Sequence, residues 1–209
     1  MQADAIDTQF STGASSGDWN QDGFPDLVVV NLGRDVLWIN NGDGTFSSRS
    51  VDERQSPSRL ASSVAMADLT GDHLPDLCQV VYLDDPNLTK KPRFNERGQV
   101  IEEVMPFQFR PGFDRVYETD GTGRPVAPRF STELLDDRLG LGVAICDFNG
   151  RPGNEVFIGN DVYADQMWVR EPAFSRWVDV GPAIGCAYGV RGSKTASMGI
   201  AAGDLDNTG

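Results

Sequence analysis

A nine-residue acidic segment is the feature of this sequence that most constrains its fold. It first occurs as DWNQDGFPD at residues 18–26, with side-chain oxygens at the first, third, fifth and ninth positions and Gly23 at the sixth. A hard cation such as Ca²⁺ takes about six to eight oxygen ligands, and Gly supplies the positive φ that a tight turn around one point needs. The spacing therefore predicts a calcium loop whose ligands are four side chains and one backbone carbonyl: Asp18, Asn20, Asp22, Asp26 and the carbonyl of Phe24.

This loop differs from an EF-hand loop on its C-terminal side. An EF-hand carries Glu at the twelfth position and continues into a helix, whereas the twelfth residue here is Val29 and residues 26–31 (DLVVVN) are rich in β-branched side chains. We therefore expect the loop to join two strands. The alternative interpretation of one copy is a turn rich in Asp, Asn and Gly without metal, since these residues favour turns.

Repetition of the segment favours the metal interpretation. Its first Asp recurs at 18, 68, 147 and 204, at intervals of 50, 79 and 57 residues. A short strand of small and apolar residues is predicted before each loop, at 13–19, 63–69, 142–148 and 199–205. A second strand is predicted after three of them, at 26–31, 76–81 and 155–160. A period near 50 residues is typical of one four-stranded propeller blade.

The sequence thus predicts an all-β fold of antiparallel four-stranded propeller blades, with the acidic loop between strands one and two of each blade. Outer strands are expected at 36–39, 46–50, 115–118, 129–132, 165–170 and 174–180. The repeat units are predicted at about 12–60, 61–140 with a polar surface insertion at 85–113, 141–195, and the start of a fourth at 196–209. Three blades and one strand cannot close a ring, so we expect residues 1–209 to be part of a longer propeller whose remaining blades are missing from this chain.

Three tryptophans alternate with other residues in the predicted outer strands: Trp38, Trp168 and Trp177. We expect them to form core between blades, and an aromatic binding platform is the alternative.

The other three loops keep the pattern unequally. The second has oxygen ligands at every required position, with His73 in place of Gly at the sixth; its expected ligands are Asp68, Thr70, Asp72, Asp76 and the carbonyl of Leu74. His is among the non-Gly residues that tolerate positive φ, so this loop should still form. Two calcium sites are therefore predicted, at 18–26 and 68–76.

The third and fourth loops are predicted to bind calcium weakly or not at all. The third offers Asp147, Asn149 and Glu155, but Arg151 stands at the fifth position, where its guanidinium would repel a cation and is expected to pair with Asp147 or Glu155. The fourth offers only Asp204, Asp206 and Thr208 before the sequence ends at residue 209, so its ligand set is not complete here.

Charge and composition exclude several classes of function. The formal net charge is −13, which argues against binding nucleic acid through a basic face. No window approaches the length of apolar sequence that a membrane span needs, so no membrane insertion is expected. Three scattered cysteines do not suggest a disulfide framework, and Cys78 and Cys146 are expected to be buried free thiols. The N-terminus has no signal-peptide pattern, so a signal in the parent protein would lie outside this chain.

Catalytic signals are sparse. His73 is the single histidine, and the turn explains its position better than an imidazole function does. A Ser-His-Asp or Cys-His arrangement would have to use that residue, and a His-rich zinc site is excluded. No catalytic or organic-cofactor-binding residue is therefore predicted. Pairs of carboxylates suffice for glycoside hydrolysis, but the clustered acids here stand at metal-ligand spacing.

The repeats resemble a known family. GDWNQDGFPDLVVVN followed by LWINNGDGTF resembles the FG-GAP/VCBS repeat of integrin-α-type propellers. MGIAAGDLDNTG and RLGLGVAICDFNG are similar to the propeller part of cartilage acidic protein and of ASPIC/UnbV-type secreted proteins. The resemblance implies a seven-bladed, calcium-stabilised, extracellular or periplasmic propeller used mainly for adhesion or recognition.

Two functional classes are consistent with this pattern. The first is a non-enzymatic calcium-binding propeller module that recognises a protein or glycan ligand, which the scarcity of catalytic signals favours. The second is part of an extracellular propeller enzyme that acts on polysaccharide. The insertion at 85–113 is the segment expected to contact a partner, with a decorated surface loop as the alternative.

Overall fold

A computed structural model of the chain describes residues 9–52, 55–101, 105–119, 138–171 and 176–206. These residues form antiparallel strands with very little helix, so the prediction of an all-β fold is confirmed. The strands are β1 (Phe10–Gly17), β2 (Asp26–Leu32), β3 (Val36–Asn40), β4 (Phe46–Ser50), β5 (Arg59–Ala67), β6 (Asp76–Asp84), β7 (Arg115–Tyr117), β8 (Gly140–Cys146), β9 (Glu155–Asn160), β10 (Gln166–Glu171) and β11 (Arg176–Asp179). The helical segments are α1 (Gly181–Ile184) and two 3₁₀ turns at Pro106–Gln108 and Val190–Gly192.

The strands group into units consistent with propeller blades. The first blade is β1–β4, the second contains β5–β7 and the third is β8–β11, and successive strands within each blade pair antiparallel. The first and second blades belong to one sheet because Leu32 of β2 pairs with Leu60 of β5. The third blade is a separate sheet in the order β11-β10-β9-β8. The predicted strand at 129–132 lies outside the described residues.

Two hydrophobic cores lie between neighbouring blades, and β6 contributes to both. Successive side chains of a strand point to opposite faces. Leu77 accordingly packs in a core with Trp19 and Val28 of the first blade, whereas Cys78 and Val80 pack in a core with residues of the third blade. A strand that is buried on both faces explains the nearly continuous apolar run at the centre of the second blade.

The three tryptophans of the outer strands are buried, as predicted for core residues. Trp168 and Trp177 pack in the core between the second and third blades, and Trp38 is 7% exposed. Of the cysteines, all of which are free, Cys78 is buried, whereas Cys146 is only partly buried.

A hydroxyl bridges neighbouring blades at a bulge in the first strand of two of them. Thr12 lies at a break in the β1–β2 register, and its hydroxyl bonds the carbonyl of Val30 in its own blade and that of Ala61 in the next. Ser62 occupies the same position in β5 and donates to the carbonyl of Gly140 at 2.7 Å. These side chains connect the first strand of one blade to the first strand of its neighbour.

The predicted first strand of a fourth blade, at 199–205, is not present. These residues have no strand structure, and Ala196 makes an isolated bridge with Asp161. In the three blades, each first strand pairs with the strand on the other side of its own acidic loop. No strand in the described part of the chain pairs with residues 199–205, so they lack the hydrogen-bonding partner that a strand needs.

Candidate metal centre

The first three acidic loops occupy the same place in their blades, between the first and second strands. In the first loop, Asp18 turns its carboxylate toward the backbone and accepts hydrogen bonds from the N–H groups of Asp22 at 3.0 Å and Gly23 at 2.9 Å. The side chain of Asn20 donates to that of Asp22 at 2.8 Å, so the third and fifth positions already face each other. Gly23 has φ +91°, as the pattern predicted for the sixth position.

The ninth residue closes the first loop from the strand side. Asp26 is fully buried and accepts hydrogen bonds from the N–H groups of Trp19 at 2.9 Å and Asn40 at 2.8 Å. Burial raises the pKa of Asp26, opposed by these backbone hydrogen bonds, and the nearby Asp22 carboxylate adds to the increase. The loop therefore holds its ninth carboxylate in a place where a positive charge would stabilise it.

The second loop repeats this arrangement. Asp68 accepts hydrogen bonds from the N–H groups of Gly71 at 2.6 Å and His73 at 2.9 Å, and Asp72 accepts one from Leu74 at 2.9 Å. His73 has φ +68°, which confirms that a non-Gly residue takes positive φ at this position. The imidazole points into solvent with 97% of its surface exposed. The backbone conformation thus accounts for the position of the histidine.

The ninth carboxylate of the second loop has its buried charge only partly satisfied by hydrogen bonds. Asp76 is fully buried, and its Oδ2 accepts hydrogen bonds from Leu69 at 2.8 Å and Thr70 at 3.2 Å, whereas its Oδ1 has no partner. Burial raises the pKa of Asp76 to about 7, with additional contributions from the like charges of Asp72, Glu118 and Asp68. The hydroxyl of Thr70 is also buried without a partner.

The residues of the first two loops fit a calcium ion by their chemistry. Both loops offer only oxygen donors, which hard cations prefer. Buried polar atoms without partners are rare in folded proteins, and the second loop has two of them, on Asp76 and Thr70, at the ninth and third positions of the predicted ligand set. Within the described residues, no three His, Cys, Asp or Glu side chains lie close enough together to hold a metal ion, so the three carboxylates predicted for each of these loops do not converge in this structure.

The third loop has a different conformation. Glu155 accepts hydrogen bonds from the N–H of Phe148 at 2.8 Å and from the side chain of Asn149. A hydrogen bond therefore joins the third and ninth positions of this loop. The fourth position has positive φ in all three loops, but the other residue with positive φ in the third loop is Gly153 at the seventh position, whereas it lies at the sixth position in the first two loops. The sixth residue is Pro152, whose ring fixes φ near −65° and excludes the conformation that Gly23 and His73 adopt.

The predicted pairing of Arg151 is wrong. Its side chain is exposed and forms no ion pair with Asp147 or Glu155, all three of which lie in the described part of the chain. The carboxylate of Asp147 instead accepts backbone hydrogen bonds from Asn149 at 3.1 Å and Gly150 at 2.6 Å. In the fourth unit, Asp204 and Asp206 are exposed.

A second set of repeated aspartates was not predicted from the sequence. Each stands just before the third strand of its blade, at the blade end opposite the acidic loop, and accepts a backbone N–H from the end of the second strand: Asp35 from Asn31, Asp114 from Val81 and Asp165 from Asn160, each at 2.8 Å. All three are buried. Alignment of the repeats at the third strand, rather than at the acidic loop, could have revealed them.

Asp35 also anchors the contact between the first and second blades. Its carboxylate forms an ion pair with Arg59 and accepts hydrogen bonds from the side chains of Gln55 and Gln79, and Arg59 in turn donates to Gln79. Asp35 and Arg59 both have side chains with 0% exposure. This cluster connects the two blades through buried polar contacts.

Comparison with known proteins supports the repeat assignment for part of the chain. Residues 18–78 match a family described as the FG-GAP-like repeat, over a little under a third of the 209 residues. The match begins at the first residue of the first acidic loop and ends within β6, just past the second loop. No curated protein matches the chain at a significant level. These residues therefore have the features of an FG-GAP-like repeat, which suggests a propeller repeat module.

No helix among the described residues has both the length and the apolar composition needed to cross a membrane.

Proposed function

We propose that this chain is part of a non-enzymatic, extracellular propeller module that binds calcium structurally and recognises a protein or glycan ligand. The calcium sites are the first loop, at 18–26, and the second loop, at 68–76. The third loop does not hold calcium at a comparable affinity. The FG-GAP-like match, which spans both proposed sites, supports the class of module.

The single observation that carries the calcium proposal is the state of Asp76. A fully buried carboxylate with an unpartnered oxygen is costly unless a charge or a donor compensates it. The like charges of Asp68 and Asp72 increase that cost. A bound Ca²⁺ would supply the missing positive charge and accept these oxygens as ligands.

Calcium in this role stabilises the folded blades. A ligand that binds the native state and not the unfolded chain raises the free energy of unfolding by mass action. The ligand set resembles that of extracellular calcium modules, whose dissociation constants are about 10⁻⁴–10⁻³ M. Such affinities suit an extracellular or periplasmic location, where calcium is abundant.

The experiment that tests the calcium proposal is thermal unfolding of chelator-treated protein with and without calcium, on wild type and on Asp76→Asn. Saturating calcium should raise the melting temperature of the wild type and raise that of the variant less, because the variant loses the ninth carboxylate of the second loop and keeps only the first-loop site intact. Asp43→Asn is the matched control, since Asp43 lies exposed in the turn before β4 and outside the loops. An equal calcium effect on all three proteins would contradict the proposal.

Ligand recognition is proposed for the insertion at 85–113, which leaves the blade opposite the acidic loops. Phe94 and Val100 pair across a small hairpin, with a 2.9 Å hydrogen bond from Asn95 to the carbonyl of Gln99. Several large apolar side chains of this segment are more than two-fifths exposed: Phe94, Val100, Ile101, Met105, Phe107 and Phe113. Contiguous exposed apolar patches mark interaction sites, and we propose that these side chains form one.

A binding assay against immobilised polysaccharides and extracellular-matrix proteins tests this part of the proposal. The double variant Phe94→Ser/Phe107→Ser should lose whatever binding the wild type has, because both rings are more than half exposed and carry no core packing. Equal binding by wild type and variant would place the recognition surface elsewhere.

A further inference from the structure

The second and third acidic loops touch each other backbone to backbone. A Cβ added to Gly71 would lie 3.0 Å from the backbone nitrogen of Gly153, and one added to Gly153 would lie 3.1 Å from the carbonyl oxygen of Leu69. Both glycines also have positive φ. Glycine at these two positions therefore permits an approach that any other residue would obstruct.

Two side chains of the third blade bond the backbone of the second loop. Asn154 donates from Nδ2 to the carbonyl of Asp68 at 2.6 Å, and Arg170 of β10 donates from Nη1 to the carbonyl of Thr70 at 3.1 Å. These carbonyls belong to the first and third positions of the proposed calcium loop. A cavity of about 320 Å³ lies between the two loops, and Thr70, Arg151 and Arg170 are among its lining residues.

The bond from Arg170 orients a donor on which the loop depends. The peptide unit between Thr70 and Gly71 is planar and trans, so its C=O and N–H point in opposite directions. Arg170 holds the carbonyl toward the third blade, and the N–H of Gly71 consequently points into the loop, where it donates to Asp68 Oδ1 at 2.6 Å. The third blade thereby helps to fix the carboxylate at the first position.

The third loop is held by hydrogen bonds within itself, so it can act as a rigid support for the second loop. The side chain of Asn149 donates a hydrogen bond to Glu155, and Pro152 prevents the conformation of the first two loops. The first loop has a simpler connection to the second, a 3.1 Å hydrogen bond from Gln21 to the carbonyl of His73.

We infer that the third loop and β10 form a buttress that preorganises the second loop for its cation, with Asn154 and Arg170 as the positioning residues. Calcium binding at 68–76 is then coupled to the interface between the second and third blades, whereas binding at 18–26 is not. This inference rests on the proposed calcium site in the second loop.

Asn154 and Arg170 act by orienting the backbone of the second loop. A comparison of two arginines distinguishes this orienting effect from the effect of their positive charge. Arg151 and Arg170 both line the cavity, but only Arg170 bonds the second loop. Loss of either arginine removes a positive charge near the cation, which favours binding. Loss of Arg170 alone also releases the peptide that orients Asp68, which disfavours binding.

The inference is tested by calorimetric calcium titration of the whole chain in an Asp18→Ala background, where only the second loop should bind calcium. Circular dichroism first establishes that each variant is folded. Substitution of residues that orient metal ligands costs about 10-fold or more in affinity. Asn154→Ala and Arg170→Met should each weaken binding by about 10-fold on that scale, and Arg151→Met should leave it unchanged or slightly tighter.

The outcomes separate this inference from the proposed function. If the parent binds one calcium ion and both Asn154→Ala and Arg170→Met bind it as tightly as the parent, the buttress is refuted and the calcium site stands. If the Asp18→Ala parent binds no calcium, both the proposed second-loop site and the buttress are refuted. Weaker binding by Arg151→Met to the same degree as Arg170→Met would also refute the inference, because it would assign the effect to the cavity in general.

Discussion

Replacing Arg59 with Met should reveal how strongly the buried cluster at Asp35 holds the first two blades together. The substitution keeps the length and apolar stem of the side chain and removes its charge. Asp35 then remains fully buried without its cationic partner, although Asn31, Gln55 and Gln79 still donate hydrogen bonds to it. Removing one member of a buried ion pair costs about 3–5 kcal/mol.

That cost converts to a large change in melting temperature. For chains of about 150–250 residues, each kcal/mol of destabilisation lowers the melting temperature by about 2–4 °C. We therefore expect Arg59→Met to melt about 6–20 °C below the wild type. The matched control is Arg176→Met, because Arg176 and Glu171 form an exposed pair at 2.8 Å. Exposed pairs contribute no more than about 1 kcal/mol, so the control should shift by no more than about 4 °C.

The pH dependence identifies Asp35 as the source of the effect. Burial raises the pKa of Asp35, and the attraction of Arg59 opposes that increase, so the variant should have a still higher pKa in the folded state. A folded-state pKa above the unfolded value means that the folded state binds more protons, and stability rises as pH falls. The difference in melting temperature between wild type and Arg59→Met should therefore shrink from about pH 8 to about pH 5.

Differential scanning calorimetry over this pH range measures both effects. The double variant Asp35→Asn/Arg59→Met should recover much of the lost stability, since it removes the buried charge as well as its partner. A loss for Arg59→Met no larger than that of the exposed control would refute the account of this cluster. So would a loss that does not change with pH.

Three further predictions concern the blades and loops. Thr12→Val and Ser62→Ala should each cost about 0.5–1.5 kcal/mol by removing a hydrogen bond between first strands, measured as the midpoint of urea unfolding, and no change would contradict the bridging role. The double variant Arg151→Asp/Pro152→Gly restores the fifth and sixth positions of the third loop and should add one calcium ion to the stoichiometry measured by calorimetry, whereas unchanged stoichiometry would show that these two residues do not explain the difference. His73→Gly should raise the melting temperature slightly, because left-handed backbone costs about 1–2 kcal/mol for a residue with a Cβ and less for Gly, and a large decrease would show that the imidazole has a role beyond the turn.

The blade architecture could be predicted because its signal is local and repeated. The acidic loop fixes where two strands begin and end, and the apolar residues that flank it alternate or run continuously as pleated strands require. The bounds of β4 at Phe46–Ser50 and of β9 at Glu155–Asn160 agree with the sequence prediction. The positive φ of His73 was also predictable, since its place in the repeat was occupied by Gly in the first loop.

The features that escaped prediction depend on contacts between distant residues. Asp114 accepts its hydrogen bond from Val81 across the whole insertion, and a single Asp before a strand looks like any turn residue. The prediction of a strand at 199–205 was wrong because a strand needs a pairing partner, which sequence periodicity does not supply. The third loop differs from the first two because Pro152 excludes positive φ at the sixth position, and Arg151 stands next to it without the predicted ion pair.

Calcium titration into chelator-treated wild-type protein, with Asp18→Ala and Asp68→Ala alongside, measures how many of the acidic loops bind an ion. We expect two ions per chain for the wild type and one for each variant, with the remaining site in the variant close to its wild-type affinity. Absence of binding, or binding that neither substitution changes, would contradict the calcium proposal and leave both loops as metal-free turns.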